Sequence, residues 1–329
     1  LKAIIPVAGA GKRLRPFAYT QPKPLIPVAG KPILSYIVEQ LQELGVTEFI
    51  FVIGYLGEKI RDFVEETYPE LKTKFVVQDV RRGSGHAVWL TKQAVGRTKK
   101  IVIVFGDTVV DGGVEDIFNC SHTCMAIKPV DDPRRFGVVE LKKDGTIKAM
   151  VEKPRMPRSN QALVGFYKIA DFPLLCETLG RLLEQDHKES VTLTDGLMTM
   201  LDGGHTMHAE QVLRWYDCGD PMVLLNTNRT FLAKRKYGES QVPAFDRTVI
   251  IHPVAIGKNC TISDAVIGPN VSIGDNAVIE KSMVSESIVG NNTMLIQVNL
   301  SESVIGNDTA LHGRPQSLNI GDNTELELG

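Results

Sequence analysis

Within the first 31 residues, Gly9 and Gly11 stand beside Lys12, Arg13 and Arg15, and Pro22, Lys23, Pro24 and Lys31 follow. Glycines remove side chains so that backbone N–H groups can approach a phosphate, while arginine and lysine neutralise its charge. The chemistry this predicts is an anion cradle for a phosphorylated ligand. It is not a Walker loop, which would need glycine at position 6 and serine or threonine at 13, where the chain has Pro6 and Arg13. A GxGxxG dinucleotide fingerprint fails at Leu14. Asp107, which ends the apolar run IVIVFGD, stands where a carboxylate could hold a cation against bound phosphates. Asp217 stands in WYDCGD. Each also has a plainer reading as a turn or capping residue, although Asp220 before Pro221 already supplies an N-cap and first-turn proline there.

Gln78 ends KFVVQD and precedes RRGSGHAV, with Gly83 and Gly85. A glutamine amide can both donate and accept hydrogen bonds to a ligand, but a solvated strand end explains it too. Glu152 and Lys153 are adjacent on a strand pattern and are expected to point to opposite faces, whether as ligands or as an edge charge pair. Gly137 in FGVVEL and Gly165 in ALVGFYKI are strand glycines, which often mark bulges. Thr194 and Asp195 read as a helix N-cap and a first-turn acid. Cys120, His122 and Cys124 alternate at the head of a strand without a fourth partner at zinc-site spacing, so a structural role is expected.

These residues must be placed by larger elements. From the N-terminus, apolar runs alternate with helical patterns: KAIIPVA and 31–45, FIFVIG and 57–67, KFVVQD and 86–95, then IVIVFGD. That alternation predicts a parallel sheet with helices on its faces and ligands at the carboxyl ends of the strands. Short strands between about 122 and 170 suggest an antiparallel or mixed extension, followed by helices at 171–185 and 195–203, a strand near 206–212 and a helix through about 233. After about residue 245 the period changes. Ile256, Ile262, Ile267, Ile273, Ile279, Val284, Val289, Leu295, Leu300, Ile305 and Leu311 recur in steps of five or six, with glycine after several of them. So short a repeat cannot bury an apolar face alone, so its turns must stack into a β-helix.

The 329 residues predict about two domains. Apolar residues make up 43% and charged residues 23%, an ordinary globular composition, and the formal net charge of −2 lacks the basic excess of a protein that lives on nucleic acid. Neither a signal peptide nor a membrane span is expected. Five dispersed cysteines suit a reducing compartment, with the cytoplasm as the default.

The stretch GAGKRLRPFAYTQPKPLIPVAGKPIL resembles the signature of the sugar-1-phosphate nucleotidyltransferases, the NDP-sugar pyrophosphorylases. That signature usually reads GxGTRLxP followed by PKPLxPVxxKP, and Lys12 stands where threonine is usual. The resemblance covers essentially the whole chain. It implies an α/β, Rossmann-like nucleotidyltransferase domain with a mixed sheet over 1–235, and a left-handed parallel β-helix of hexapeptide repeats over 246–329. It implies that a nucleoside triphosphate and a sugar 1-phosphate give an NDP-sugar and pyrophosphate, with dTTP or UTP and glucose 1-phosphate foremost and Mg²⁺ as cofactor. Arg13 and Lys23 would serve catalysis; Gly9, Gly11, Gln78, Gly83 and Gly85 the nucleotide; Gly137, Glu152, Lys153 and Gly165 the sugar phosphate; Asp107 and Asp217 the metal. Glu189 is a further candidate for the sugar hydroxyls. A guanylyltransferase of the GDP-mannose type, or a non-catalytic regulatory subunit of the same fold, is the alternative. An acyltransferase site around His252 or His312 finds no supporting motif, so the β-helix is expected to build a homo-oligomer or to regulate. No nucleic-acid or membrane partner is expected.

Overall fold

Ala3, Ile4 and Ile5 have no solvent exposure, because the strand Lys2–Pro6 is hydrogen-bonded along both edges and covered on both faces. In the computed structural model, which describes residues 1–185, 190–234 and 244–314, this strand lies within a mixed sheet. Glu48–Ile53 and Lys72–Val77 extend the sheet on one side, and Ile101–Val104 pairs on the other, all in parallel. Gln161–Ile169 then joins Ile101–Val104 in the antiparallel sense and leads to the hairpin of Gly137–Leu141 and Ile147–Glu152. The Rossmann-like half and the antiparallel extension are therefore one continuous sheet.

Successive strand residues face opposite layers. Ile4, Ile50, Val52, Ile101 and Ile103 join one core with residues of the helices Ser84–Leu90, Phe172–Glu184 and Leu193–Asp202. Phe49 and Phe51 are likewise buried, with Phe51 stacked on Phe75 at 5.5 Å. Two helix starts are legible in their caps. Asp171 accepts from the Leu174 N–H at 3.1 Å, and Thr192 with Asp195 forms a reciprocal capping box. The cap is thus Thr192, two residues before the expected Thr194. The expected helix over 86–95 is two short helices, Ser84–Leu90 and Lys92–Val95. The strand pair Thr108–Asp111 and Arg214–Asp217 was not anticipated from the pattern.

Contacts divide the chain into two compact units, Leu1–Ile26 with Lys31–Leu224, and Pro27–Gly30 with the chain from Leu225 onward. In the second unit the described strands from Val249 onward form three four-stranded parallel sheets, the arrangement of a left-handed β-helix. The eleven periodic aliphatics stack coil upon coil. Ile256, Ile273, Val289 and Ile305 form one column, Ile262, Ile279, Leu295 and Leu311 a second, and Ile267, Val284 and Leu300 a third. Asn259, Asn276, Asn292 and Asp308 turn one corner at positive φ, and their side chains bond from coil to coil at 3.3, 3.1 and 2.9 Å. Residues 315–329 of the expected β-helix domain lie outside the described residues. Among the described residues, no helix is long and apolar enough to cross a membrane, and all five cysteines are free thiols.

Asn228 is a hub of this second unit. It is 1% exposed, its Oδ1 accepts from the Ala29 N–H at 2.9 Å and the Ser272 hydroxyl at 2.6 Å, and its Nδ2 donates to the Asn270 carbonyl at 3.0 Å. Removing a side chain that satisfies buried polar groups leaves them desolvated and unpaired. Asn228→Ala is expected to lower the stability of this unit by about 2–3 kcal/mol. Faster hydrogen exchange at the Ala29 amide, together with a lower melting temperature, would register the loss; unchanged exchange there would contradict it.

Candidate active site

Lys23 is only 9% exposed, and its ammonium lies 2.5 Å from Asp107 Oδ2 and 3.9 Å from Asp217 Oδ1. A lysine is seldom buried without a carboxylate partner, and here two converge on it. Arg13 adds a second cation, with its guanidinium 3.2 Å from Asp217 Oδ2. Four charged groups from three distant stretches of sequence thus meet at one point.

The backbone explains how. Asp107 follows the buried strand Ile101–Val104, and Asp217 ends the strand Arg214–Asp217. That strand pairs antiparallel with Thr108–Asp111, which sets Asp217 opposite Thr108, and the Cys218 N–H donates to the Asp107 carbonyl at 3.1 Å. Arg13 and Lys23 lie in short 3₁₀ turns, Lys12–Leu14 and Lys23–Leu25. Gly11, at φ 59°, opens the first turn, and a side chain there would come within 2.9 Å of Ala18 Cβ and 3.3 Å of Lys23 Cβ. Asp220 Oδ1 accepts from the Met222 N–H at 3.0 Å at the start of Pro221–Ala233, so capping falls to Asp220 and not to Asp217.

A cavity of about 450 Å³ opens over this cluster. Its walls include Gly9, Gly11, Arg13, Lys23, Gln78, Gly83 and Asp107, at the carboxyl ends of Lys2–Pro6 and Ile101–Val104. From that strand pair the chain order runs outward in both directions, the switch point at which open α/β sheets hold ligands. A Cβ on Gly9 would meet nothing within 4 Å, so that glycine leaves open space.

Gln78 is 6% exposed, and its amide nitrogen lies 3.1 Å from the Gly83 carbonyl and 3.1 Å from His86 Nδ1. Gly83 borders the cavity, but its missing side chain faces the Val191 carbonyl, and that of Gly85 faces the Thr192 carbonyl and Leu179. The need for glycine at both positions therefore comes from the close approach of residues 190–192, which sequence alone does not display.

The expected sugar-phosphate residues form a second group beside the sheet. The Thr194 hydroxyl donates to Glu152 Oε2 at 2.7 Å, and Gly137 leaves room for both side chains. The strand ends at Glu152, and Lys153 turns into the left-handed region at φ 43° with its ammonium exposed, 4.0 Å from Glu152 Oε1. The expected alternation of the pair across a strand does not hold, because the strand stops between them. Gly165, at φ 96°, admits Thr108 and Phe105 against the strand Gln161–Ile169. Glu189 lies outside the described residues.

Sequence reading missed Gly219 and Arg81. A Cβ on Gly219 would fall 2.6 Å from the Arg13 guanidinium and 3.0 Å from Lys23 Nζ, so this glycine admits both cations. Its only signal was its place beside Asp217. Arg81 lines the cavity near the ring of Tyr55, 5.7 Å away, and nothing in the sequence separates it from its neighbour Arg82.

Among the described residues, no group of three or more His, Cys, Asp or Glu is placed to share a metal. Asp107 and Asp217 nevertheless fit Mg²⁺, an ion commonly held by one or two carboxylates together with substrate phosphates and water. Their oxygens already converge on one cation, the Lys23 ammonium. Burial pushes the Asp107 carboxyl up, but the charge and hydrogen bond of Lys23, with the charge of Arg13, more than offset this and hold it below the ordinary 3.8.

The nucleotidyl transferase family model matches residues 2–234. The low-salt glycan biosynthesis nucleotidyltransferase Agl11 of Haloferax volcanii is 29% identical over 315 residues, covering 88% of this chain and 87% of its own. Glucose-1-phosphate thymidylyltransferase of Streptomyces antibioticus is 30% identical over 319 residues, again covering 88% and 87%. A crystal structure of UDP-glucose pyrophosphorylase complexed with UDP-glucose superposes with a TM-score of 0.62 at 23% identity, over 71% of this chain and 99% of that one. At that identity the likeness is one of fold.

A carboxyl whose folded value is depressed contributes stability that is complete above its unfolded value and is lost as pH falls through the folded one. Asp107 is therefore expected to titrate below 3.8 in the native protein. In Lys23→Met, with burial less opposed, its titration is expected to move up. Carboxyl-carbon NMR of the two proteins decides the matter, and an unmoved titration would refute the pairing.

Proposed function

The chain belongs to the nucleotidyl transferase family, and we propose that it joins a nucleoside triphosphate to a sugar 1-phosphate, giving an NDP-sugar and pyrophosphate. The observation that carries this reading is the convergence of Lys23, Arg13, Asp107 and Asp217 at the mouth of a cavity also walled by Gln78. In the proposed reaction, an oxygen of the sugar phosphate attacks the α-phosphorus while the bond to the oxygen bridging the β-phosphorus breaks, and pyrophosphate leaves with that electron pair. A sugar phosphate is ionised at neutral pH, so no general base is needed. The site must instead align two polyanions and neutralise their charge.

Each residue has a part that follows from its place. Arg13, exposed over half its side chain, is free to move onto the departing pyrophosphate. Lys23 is fixed by burial and supplies charge beside the transferred phosphoryl group. Lys153 presents an exposed ammonium to the incoming sugar phosphate, while Glu152, oriented by Thr194, accepts from sugar hydroxyls. Gly9 leaves space for phosphate near backbone N–H groups, and Gln78 meets the base. Asp107 and Asp217 would hold Mg²⁺, which supplies neutralisation of the triphosphate and Lewis acidity when bound.

The foremost substrates are dTTP or UTP with glucose 1-phosphate. The Streptomyces antibioticus relative, a glucose-1-phosphate thymidylyltransferase, supports that choice, and uracil differs from thymine by one methyl group. A regulatory subunit without chemistry would be expected to lose charged site residues, whereas Arg13, Lys23, Asp107, Lys153 and Asp217 are all present. The reading includes a cytoplasmic homo-oligomer joined through the β-helix, and the exposed apolar side chains of Val249 and Met283, in one column of a single sheet, support the joining face.

Pyrophosphate release, measured with Mg²⁺ across the common nucleoside triphosphates and hexose 1-phosphates, is expected to show one strong pair. Asp107→Asn is expected to lower its kcat/KM by about a hundredfold or more, as loss of a group that stabilises transition-state charge does. Silence across the grid, from folded protein that binds triphosphate, would favour the regulatory alternative. Gly9→Ala tests the cradle separately. Because the added methyl meets only open space, folding stability should stay within about 0.5 kcal/mol while KM for the triphosphate rises about tenfold. An unchanged KM would remove Gly9 from the site.

A further inference from the structure

His86 takes no part in the chemistry above and does not line the cavity, yet its ring nitrogen Nδ1 lies 3.1 Å from the amide nitrogen of Gln78. Resting on the nucleotidyltransferase reading, we propose that His86 is a positioning residue that fixes the orientation of the Gln78 amide. The site then accepts bases that donate from a ring N–H, as uracil, thymine and guanine do. It discriminates against cytosine and adenine, whose corresponding ring nitrogen is an acceptor.

The argument begins with the Gly83 carbonyl. A carbonyl has no hydrogen to give, so the Gln78 atom 3.1 Å from it must be the amide nitrogen and not the amide oxygen. With one hydrogen directed to Gly83, that NH₂ group has its other hydrogen for His86, and Nδ1 must receive it through a lone pair. The imidazole proton then sits on Nε2. A charged imidazolium would set N–H against N–H and break the arrangement. Burial, together with the charge of Arg82, holds the His86 ring below its ordinary 6.5 despite a hydrogen bond to the Val80 backbone, so the ring is neutral at neutral pH. Trp89 stacks against the ring at 6.2 Å with an interplanar angle of 21°, which restrains its orientation.

With both hydrogens of the amide directed into the protein, Gln78 has only its carbonyl oxygen left to offer. That oxygen has no hydrogen-bond partner among the described residues and is not among the buried polar atoms left unpaired, so it reaches solvent, on a residue that borders both the cavity and the neighbouring hollow of Gly54, Tyr55 and Arg81. A free glutamine reads a base ambiguously, because rotation by 180° exchanges donor for acceptor. Anchored at two points, this one is an acceptor only. A ring N–H meets it as a hydrogen bond, whereas a ring acceptor meets it lone pair against lone pair, and the oxygen, cut off from water by the bound base, is left without a partner.

The test is equilibrium binding of UTP, CTP, GTP and ATP to the full chain, with wild type, His86→Phe and His86→Asp compared. Wild type is expected to prefer UTP to CTP, or GTP to ATP, by at least about tenfold, as a hydrogen-bonding site discriminates. His86→Phe, which can accept no hydrogen bond, is expected to shrink that ratio by about tenfold while affinity for inorganic pyrophosphate is unchanged. His86→Asp, an acceptor-only side chain at the same place, is expected to keep the ratio, which a merely structural role would not predict. His86→Leu gives a second acceptor-free variant should the phenylalanine fail to fold. Equal affinities within both base pairs in wild type, or a wild-type ratio in the acceptor-free variants, would overturn the proposal. Failure of folded wild type to bind dTTP or any of the four triphosphates would instead overturn the nucleotidyltransferase reading itself.

Discussion

The ammonium of Lys23, buried between the carboxylates of Asp107 and Asp217, is the interaction on which the site depends. Two carboxylates drawn together without a cation would repel, and a lysine buried without a carboxylate would lose its charge. Each group is therefore tolerable only because the others are there. The same balance suits polyphosphate chemistry. The charges are already assembled in a shielded place, and a triphosphate with its metal can exchange partners with them without first ordering the protein.

The sheet exists, functionally, to make that meeting possible. The strand Lys2–Pro6 and its neighbour Ile101–Val104 deliver the glycine-rich turn and Asp107 to one crevice. The small antiparallel pair Thr108–Asp111 and Arg214–Asp217 then carries a residue from more than a hundred positions away to the same point. Gly219 completes it by leaving out the one side chain that would displace Arg13 and Lys23. The β-helix follows a simpler rule, in which columns of identical chemistry repeat coil by coil and polar side chains pair at the corners.

How much of this was legible in the sequence depended on whether the relevant physics was local. The capping role of Asp220 followed from its neighbours, and the eleven periodic aliphatics of the β-helix columns were identified by spacing alone. The glycines were read less well. Gly83 and Gly85 are recognisable as glycines near a strand end, but what excludes their side chains is the segment 190–192, which no local pattern brings there. Lys153 failed for a related reason. Alternation across a strand assumes that the strand continues, and it ends one residue earlier.

By itself, then, the sequence determined the order of elements, the change from a layered α/β unit to a stacked solenoid, and the chemical inventory of the first turn. Periodicity and residue type are properties of neighbours along the chain, and these features are set by them. Only the tertiary structure decided that Lys23 lies between the two aspartates, that Thr194 orients Glu152, and that His86 stands behind Gln78. The first two of these pairings join residues far apart in the chain through strand register and helix packing. The third joins near neighbours, but only the folding of a strand end against a helix start gives them a common hydrogen-bond geometry, and geometry of that kind leaves no trace in spacing.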